Sequence, residues 1–110
     1  MEIIVGDKGS GKTHKLIILC KKMNEEAGIN NTVIVAKNYK DARRISDIAY
    51  KMGYHSMPFP VILDDIKHIK PTYYKRLLID DIDYIMQQVL GSWELAGFTL
   101  TYPEDKNDLL

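Results

Sequence analysis

The sequence predicts one α/β domain, a three-layer sandwich built on a mainly parallel sheet of about five strands. Short apolar, β-branched runs alternate along the chain with longer segments whose apolar residues recur at helical spacing. This alternation is typical of parallel strands joined by crossover helices. A chain of 110 residues has enough apolar side chains for one hydrophobic core. We therefore expect a single domain over residues 1–110, with the polar segment 103–110 as a flexible tail.

The first half of the chain predicts a strand, a helix and a second strand. The β-branched run 2–5 ends at Gly6, and residues 12–27 have helical periodicity that Gly28 stops. Residues 32–36 form a continuous apolar run, which is typical of a strand buried on both faces.

A second helix is predicted to follow Asn38, which is a suitable N-cap. Its inward residues would be Ala42, Ile45, Ala49 and Met52, with Gly53 at its end. Residues 55–60, with two prolines, indicate a loop. A helix over residues 82–90 and an alternating strand over 98–102 complete the order, and the apolar stripe of that helix comprises Ile82, Ile85, Met86, Val89 and Leu90.

Composition excludes several classes of protein. Fifteen basic residues balance fifteen acidic ones, so no overall charge attracts the chain to nucleic acid or to a membrane surface. The charge is uneven, however, with +4 in residues 1–55 and −4 in residues 56–110. The single cysteine, Cys20, excludes an internal disulfide and a multi-cysteine zinc site. No apolar run is long enough to span a bilayer, and we expect a soluble protein of the cytoplasm.

The most specific motif is the segment Gly6 to Thr13, GDKGSGKT, which matches G-x-x-x-x-G-K-[ST] at every defined position. Its glycines let the backbone bring N–H groups against phosphate oxygens. The dipole of the following helix adds to this attraction. Lys12 can reach the β and γ phosphates, and the Thr13 hydroxyl can bind Mg²⁺. A strand before the motif and a helix after it favour a phosphate loop over a glycine-rich turn without a ligand.

On these residues, segment 2–27 resembles the first strand, phosphate loop and helix of the P-loop NTPases. The resemblance implies bound ATP or GTP with Mg²⁺, and a second apolar strand that ends in a metal-binding aspartate. The nucleotide-binding residues that it implies are Gly6, Asp7, Lys8, Gly9, Ser10, Gly11, Lys12, Thr13 and the adjacent His14.

Two segments compete for the role of the metal strand, because VILDDI at 61–66 and LLIDDI at 77–82 repeat one pattern. Pro58 and Pro60 precede the first copy, which favours a sheet edge, and a capping or first-turn role for Asp64. The second copy is followed by a full helix, as a crossover requires. We therefore predict that Asp80 and Thr13 bind Mg²⁺, with Asp64 as the alternative.

LLIDDID resembles the hhhhDE motif of the additional-strand P-loop proteins, which include the AAA+ and RecA-like ATPases. That resemblance gives Asp81 the role of the catalytic carboxylate that polarises water, beside Lys12 on the phosphates. The shorter aspartate predicts slow hydrolysis or action through a second water. Thr101, on the last predicted strand, is the corresponding sensor of the γ-phosphate, although a plain half-buried strand explains this threonine equally well.

The residues after the last predicted strand are too few for a lid or a C-terminal helical domain, so we expect a minimal core. Arg43 and Arg44 are predicted on an outer helix face and Arg76 at the far end of its strand, so no arginine finger is expected within the chain. The open site predicts self-association or a protein partner that completes it. Proteins of this minimal kind resemble bacteriophage-encoded ATPases associated with DNA replication or recombination.

Two other functions remain open. A nucleoside or nucleotide kinase is similarly small, but it needs substrate-clamping arginines and a lid. A nucleotide-dependent binding module is the other, since a basic face at the second strand and helix could contact single-stranded DNA. Its residues are Lys37, Asn38, Tyr39, Lys40, Arg43 and Arg44. A solvated helix face explains the same charges.

Overall fold

The structure, a computed structural model, describes residues 11–68, 74–93 and 96. In these ranges the helices are α1 (Lys12–Ala27), α2 (Tyr39–Lys51) and α3 (Ile82–Leu90), with a 3₁₀ helix, η1 (Leu63–His68). The strands are β1 (Thr32–Ala36), β2 (Val61–Ile62) and β3 (Arg76–Ile79). The predicted strands 2–5 and 98–102 and the predicted tail 103–110 lie outside the described residues. The α/β class is confirmed, and three of the five predicted strands lie in the described part.

The three strands form a parallel sheet in the order β2-β1-β3. Ile34 pairs with Leu78 on one side of β1, and Val35 pairs with Val61 on the other. The two-residue β2 is an edge strand of this described sheet, as its prolines predict. Because all three strands are parallel, their carboxyl ends lie at one edge of the sheet, where the following loops begin.

Helices α1 and α2 pack against β1 and against each other, and the core lies between them. Ile17 and Cys20 of α1, Ile34 of β1, and Ile45 of α2 are almost fully buried in this cluster. The five residues of β1 are all buried, which confirms the prediction from its continuous apolar run.

A buried polar contact fixes α1 against the start of β1. The Asn24 side chain accepts from the Thr32 backbone N–H at 2.8 Å and donates to the Thr32 carbonyl at 3.1 Å. Its amide nitrogen also lies 3.0 Å from the Tyr54 hydroxyl. The buried amide therefore has partners for both ends, which a buried polar group needs to avoid a desolvation penalty of about 1–3 kcal/mol.

The boundaries of α2 agree with its predicted cap. Asn38 is extended, and its side-chain oxygen accepts from the Asp41 backbone N–H at 2.8 Å. Ala42, Ile45 and Ala49 are buried as predicted. The inward placement predicted for Met52 is wrong, because Met52 is the C-terminal cap residue and is 37% exposed.

The second half of the described chain is less buried than its apolar pattern predicts. Leu77 and Ile79 of β3 are 45% and 40% exposed, so one face of this strand is largely uncovered. Alternation along the strand places Leu78 toward the core and its two neighbours on the opposite face. In α3 only Ile85 is buried, whereas Ile82 and Val89 of the predicted stripe are more than half exposed. Periodicity thus identified the apolar side of α3, but tertiary packing covers little of it.

None of the helices in the described ranges has the length and apolar character needed to cross a membrane.

Candidate nucleotide and metal site

The candidate site lies where the carboxyl ends of β1 and β3 meet the N-terminus of α1. Gly11 precedes α1 with a φ of 83°, a left-handed conformation that favours glycine over any residue with a Cβ. Lys12 and Thr13 then form the first turn of α1 and are partly buried. The exact start of α1 at Lys12 agrees with the prediction from the motif.

Asp80 follows β3 directly and faces that first turn. Its backbone N–H donates to the Val35 carbonyl at 3.2 Å, which continues the ladder between β3 and β1 by one residue. The Thr13 hydroxyl lies 3.4 Å and 3.5 Å from the two carboxylate oxygens of Asp80. The structure therefore brings together the two residues predicted to bind metal, which are 67 positions apart in the chain.

The environment of Asp80 changes its acidity. Burial raises the pKa of this carboxyl group above its ordinary value, and the charges of Asp81 and Asp41 raise the pKa further. Arg44 and the hydroxyl of Thr13 oppose the increase by stabilising the carboxylate. Asp80 is only 6% exposed, so little water solvates its carboxylate, and a cation placed beside it would stabilise the charged form.

The donor atoms at this site fit Mg²⁺. A hydroxyl oxygen and a carboxylate face each other there, and hard oxygen ligands are those that Mg²⁺ prefers. In the described part of the chain, no group of three His, Cys, Asp or Glu side chains is placed to hold a metal ion. Magnesium commonly uses one or two carboxylates together with water and substrate phosphates, so the pair of Thr13 and Asp80 suits a metal that arrives with a nucleotide.

Asp81 occupies an unusual position beside this pair. It precedes α3 with a φ of 55°, the one positive φ among the described residues other than glycine, and its side chain makes no capping bond. Its carboxylate lies 3.3 Å from the ammonium group of Lys37, which follows β1. The same ammonium group lies 4.8 Å from the centre of the Tyr84 ring. Lys37 therefore ties the predicted catalytic carboxylate to the end of β1.

The prediction that placed Arg44 on an outer helix face is incomplete, because its side chain also reaches the candidate site. Its Nε donates to Asp41 Oδ1 at 2.8 Å, and its Nη2 lies 3.6 Å from Asp80 Oδ2. The guanidinium of α2 thus reaches the predicted metal residue within the same chain. Asp41 itself is 7% exposed, and sequence reasoning missed both residues as part of the site. Their spacing of three positions predicts a helical ion pair, but not that the pair faces Asp80.

The other predicted site residues fall into three groups. His14 is exposed on α1, and Asn38 uses its side chain as the cap of α2. Tyr39, Lys40 and Arg43 are exposed, as a binding face requires. The predicted nucleotide contacts Gly6, Asp7, Lys8, Gly9, Ser10 and Thr101 lie outside the described residues.

The alternative metal residue, Asp64, lies in a different setting. Asp64 and Asp65 are exposed in the first turn of η1. Thr13 approaches Asp80 and not this pair. The geometry thus favours Asp80, and the first-turn position of Asp64 agrees with the alternative role predicted for it.

Comparisons of the chain with protein-family models, with curated proteins and with solved structures found no match.

Proposed function

We propose that this chain is a minimal P-loop ATPase of the additional-strand type, which binds and hydrolyses ATP with Mg²⁺. One observation carries the proposal. The Thr13 hydroxyl, in the first turn of a helix that begins within the GSGKT segment, lies 3.4 Å from the Asp80 carboxylate. A parallel strand that ends beside that helix delivers the aspartate. A glycine-rich turn without a ligand does not explain why the Thr13 and Asp80 side chains lie so close together.

The residues of the site have complementary roles in this proposal. Lys12 and the N–H groups at the start of α1 hold the phosphates. Thr13 and Asp80 would hold Mg²⁺, which would neutralise part of the phosphate charge. Asp81 orients a water molecule and accepts its proton as the water oxygen bonds to the γ-phosphorus. The bond from phosphorus to the β–γ bridging oxygen breaks, and ADP leaves.

The proposal includes the finer architecture expected from the sequence, a three-layer domain with about five strands, in which segments 2–5 and 98–102 supply the remaining two. It also includes an oligomer or a protein partner, and a role for a phage-encoded protein in DNA replication or recombination. The parallel β2-β1-β3 sheet supports the architectural part of this proposal.

Two substitutions at Thr13 test the metal role with matched shapes. Thr13→Ser keeps the hydroxyl, and we expect it to retain Mg²⁺-dependent binding of a fluorescent ATP analogue. Thr13→Val keeps the volume and removes the hydroxyl, so Mg²⁺ should no longer strengthen binding. A wild-type protein that binds neither ATP nor GTP, with or without Mg²⁺, would overturn the proposal.

Turnover separates the ATPase from its alternatives. Phosphate release from ATP at several protein concentrations is the measurement, and specific activity that rises with concentration indicates a site completed by a second copy. Phosphate transfer to added nucleosides or nucleotides would instead identify a kinase. Tight ATP binding without turnover under any of these conditions would leave a binding module.

A second candidate function, binding of single-stranded nucleic acid, is favoured by the outer surface of α2. Tyr39 is 58% exposed and lies against Phe59, with 5.9 Å between the ring centres. Near the other end of the helix, Tyr50 is 64% exposed and stacks on His55 at 4.2 Å. Lys40, Arg43 and Lys51 are exposed on the same helix. Exposed aromatic rings beside basic residues suit a strand whose bases stack and whose phosphates pair.

The measurement for this second function is the fluorescence anisotropy of a labelled oligothymidine at two salt concentrations. Tyr39→Ala should weaken binding at both concentrations, because stacking contributes about 1–3 kcal/mol per base. Arg43→Gln should lower the salt dependence. Unchanged affinity in both variants would exclude this surface.

A further inference from the structure

Arg44 connects two buried carboxylates at the candidate site. Its Nε lies 2.8 Å from Asp41 Oδ1, and its Nη2 lies 3.6 Å from Asp80 Oδ2. The side chains of both aspartates are 7% exposed, whereas that of Arg44 is 48% exposed. A guanidinium is always charged and can serve two carboxylates at once. Arg44 is therefore a built-in cation that bridges α2 and the residue after β3.

The surroundings of Asp41 indicate that the positive charge of Arg44 stabilises the two buried carboxylates. Asp41 Oδ2 is buried and has no hydrogen-bond partner among the described residues. Two buried carboxylates near each other repel, and an unpaired buried charge is strongly unfavourable. The positive charge of Arg44 offsets both the repulsion between the carboxylates and the cost of burying them. The half-exposed guanidinium is therefore stabilised in its position between Asp41 and Asp80.

The oxygen that faces Arg44 is also the one nearest to Thr13. Asp80 Oδ2 lies 3.4 Å from the Thr13 hydroxyl and 3.6 Å from Arg44 Nη2. A divalent cation between Thr13 and Asp80 must therefore share this oxygen with a guanidinium of the same sign of charge. Like charges at this spacing repel, so a metal ion alone competes with Arg44 for Asp80.

A phosphate group would relieve this competition. A phosphate held together with a metal at Thr13 and Asp80 would lie close to Arg44, because the partly exposed guanidinium is 3.6 Å from Asp80 Oδ2. Arginine pairs with phosphate through two parallel hydrogen bonds. The guanidinium can then leave Asp80 for the phosphate, and Asp80 becomes available to the metal.

We propose, resting on the nucleotide site proposed above, that Arg44 is a positioning residue that makes metal binding depend on nucleotide. In the absence of nucleotide it pairs with Asp80 and opposes free metal ions. When nucleotide binds, Arg44 moves to a phosphate and leaves Asp80 to the metal. The position of the Arg44 side chain on α2 therefore depends on whether nucleotide occupies the site.

Direct binding measurements on the full chain test this proposal without relying on turnover. Mn²⁺ replaces Mg²⁺ because its free form is measured by electron paramagnetic resonance, and it is titrated in the absence of nucleotide. Binding of ATP is measured separately in EDTA with a fluorescent analogue. The variants are Arg44→Gln, Arg44→Lys and the matched control Arg76→Gln, whose arginine is exposed at the start of β3, at the end away from Asp80.

We expect Arg44→Gln to bind Mn²⁺ alone about tenfold more tightly than wild type, because the competing cation is gone. The same variant should bind ATP in EDTA about tenfold more weakly, because a phosphate partner is gone. Arg44→Lys keeps the charge and should restore most of the opposition to Mn²⁺. Arg76→Gln should change neither affinity. Circular dichroism establishes that each variant is folded.

The two failures are distinguishable. Wild-type protein that binds ATP, combined with an Arg44→Gln variant whose Mn²⁺ and ATP affinities are unchanged, overturns this inference and leaves the proposed function intact. Wild-type protein that binds neither ATP nor GTP overturns both. Equal changes in the Arg76 and Arg44 variants also reject the inference, because they would reflect general surface charge.

Discussion

The chain carries the same phrase twice, and the fold gives the two copies different settings. In VILDDI the strand lasts two residues, and Asp64 and Asp65 are exposed in a 3₁₀ helix. In LLIDDI the strand pairs along four residues of β1, and Asp80 is buried beside Thr13. Similar local sequence thus leads to a solvated pair in one case and a candidate metal site in the other.

The two copies differ because the length of the strand and its pairing with β1 determine where the following carboxylate lies. Pro60 lies directly before β2, which pairs with β1 over only two positions before the backbone turns into η1. β3 continues its pairing through the backbone N–H of Asp80 to the Val35 carbonyl. The carboxylate therefore emerges at the end of the sheet, where the helix N-terminus lies. At that position the Thr13 hydroxyl and the Arg44 guanidinium both lie close to the Asp80 carboxylate.

The largest expected difference between the two copies is in hydrolysis. Asp80→Ala should lower Mg²⁺-dependent ATP turnover by about 1,000-fold, since metal stabilisation of several kcal/mol is lost and each tenfold is about 1.4 kcal/mol. Asp64→Ala should leave turnover within about twofold of wild type. Steady-state phosphate release measures both. Loss of activity in Asp64→Ala with full activity in Asp80→Ala would reverse the assignment of the metal strand.

The second residues of the two pairs should differ by a smaller factor. Asp81→Asn removes the proposed proton acceptor and should lower kcat by about 100-fold, the lower end of general-base effects, because the carboxylate is short and paired with Lys37. The binding of ATP should change little. Asp65→Asn is the matched control. A fall in ATP affinity with unchanged kcat would assign Asp81 a binding role instead.

The same comparison predicts a stability effect that depends on pH. Burial raises the pKa of Asp80 in the folded state, so the folded protein binds this proton more strongly than the unfolded chain. The contribution of Asp80 to stability is therefore most favourable below the ordinary pKa and is lost as pH rises through the raised pKa. Asp80→Asn should raise the urea midpoint at pH 7, and this gain should shrink toward pH 4.

Asp64→Asn serves as the control for that experiment. Its exposed side chain should leave the free energy of unfolding within about 0.5 kcal/mol of wild type at both pH values. This is the smallest effect expected in the series. A gain for Asp64→Asn equal to that for Asp80→Asn would contradict the burial argument, because general removal of negative charge would then explain both.

Local rules identified much of the described fold. The helix at Lys12–Ala27, the strand at Thr32–Ala36 and the helix at Ile82–Leu90 have their predicted bounds, because glycines, a continuous apolar run and helical periodicity are local signals. The pair of Thr13 and Asp80 was also predictable, since the sequence alone placed each at a strand or helix end. The exposure of Met52 and Val89 was not, because periodicity identifies an apolar side and not what covers it.

Sequence patterns were therefore sufficient to predict the order of the described elements, the cap at Asn38 and the placement of Asp80, not Asp64, beside Thr13. These features depend on backbone preferences and on neighbours within a few positions. The bridge that Arg44 makes between Asp41 and Asp80, and the pair of Lys37 with Asp81, follow instead from the packing of the elements. Which charges meet depends on how α2 and β3 lie against β1, because long side chains reach partners that are far apart in the chain.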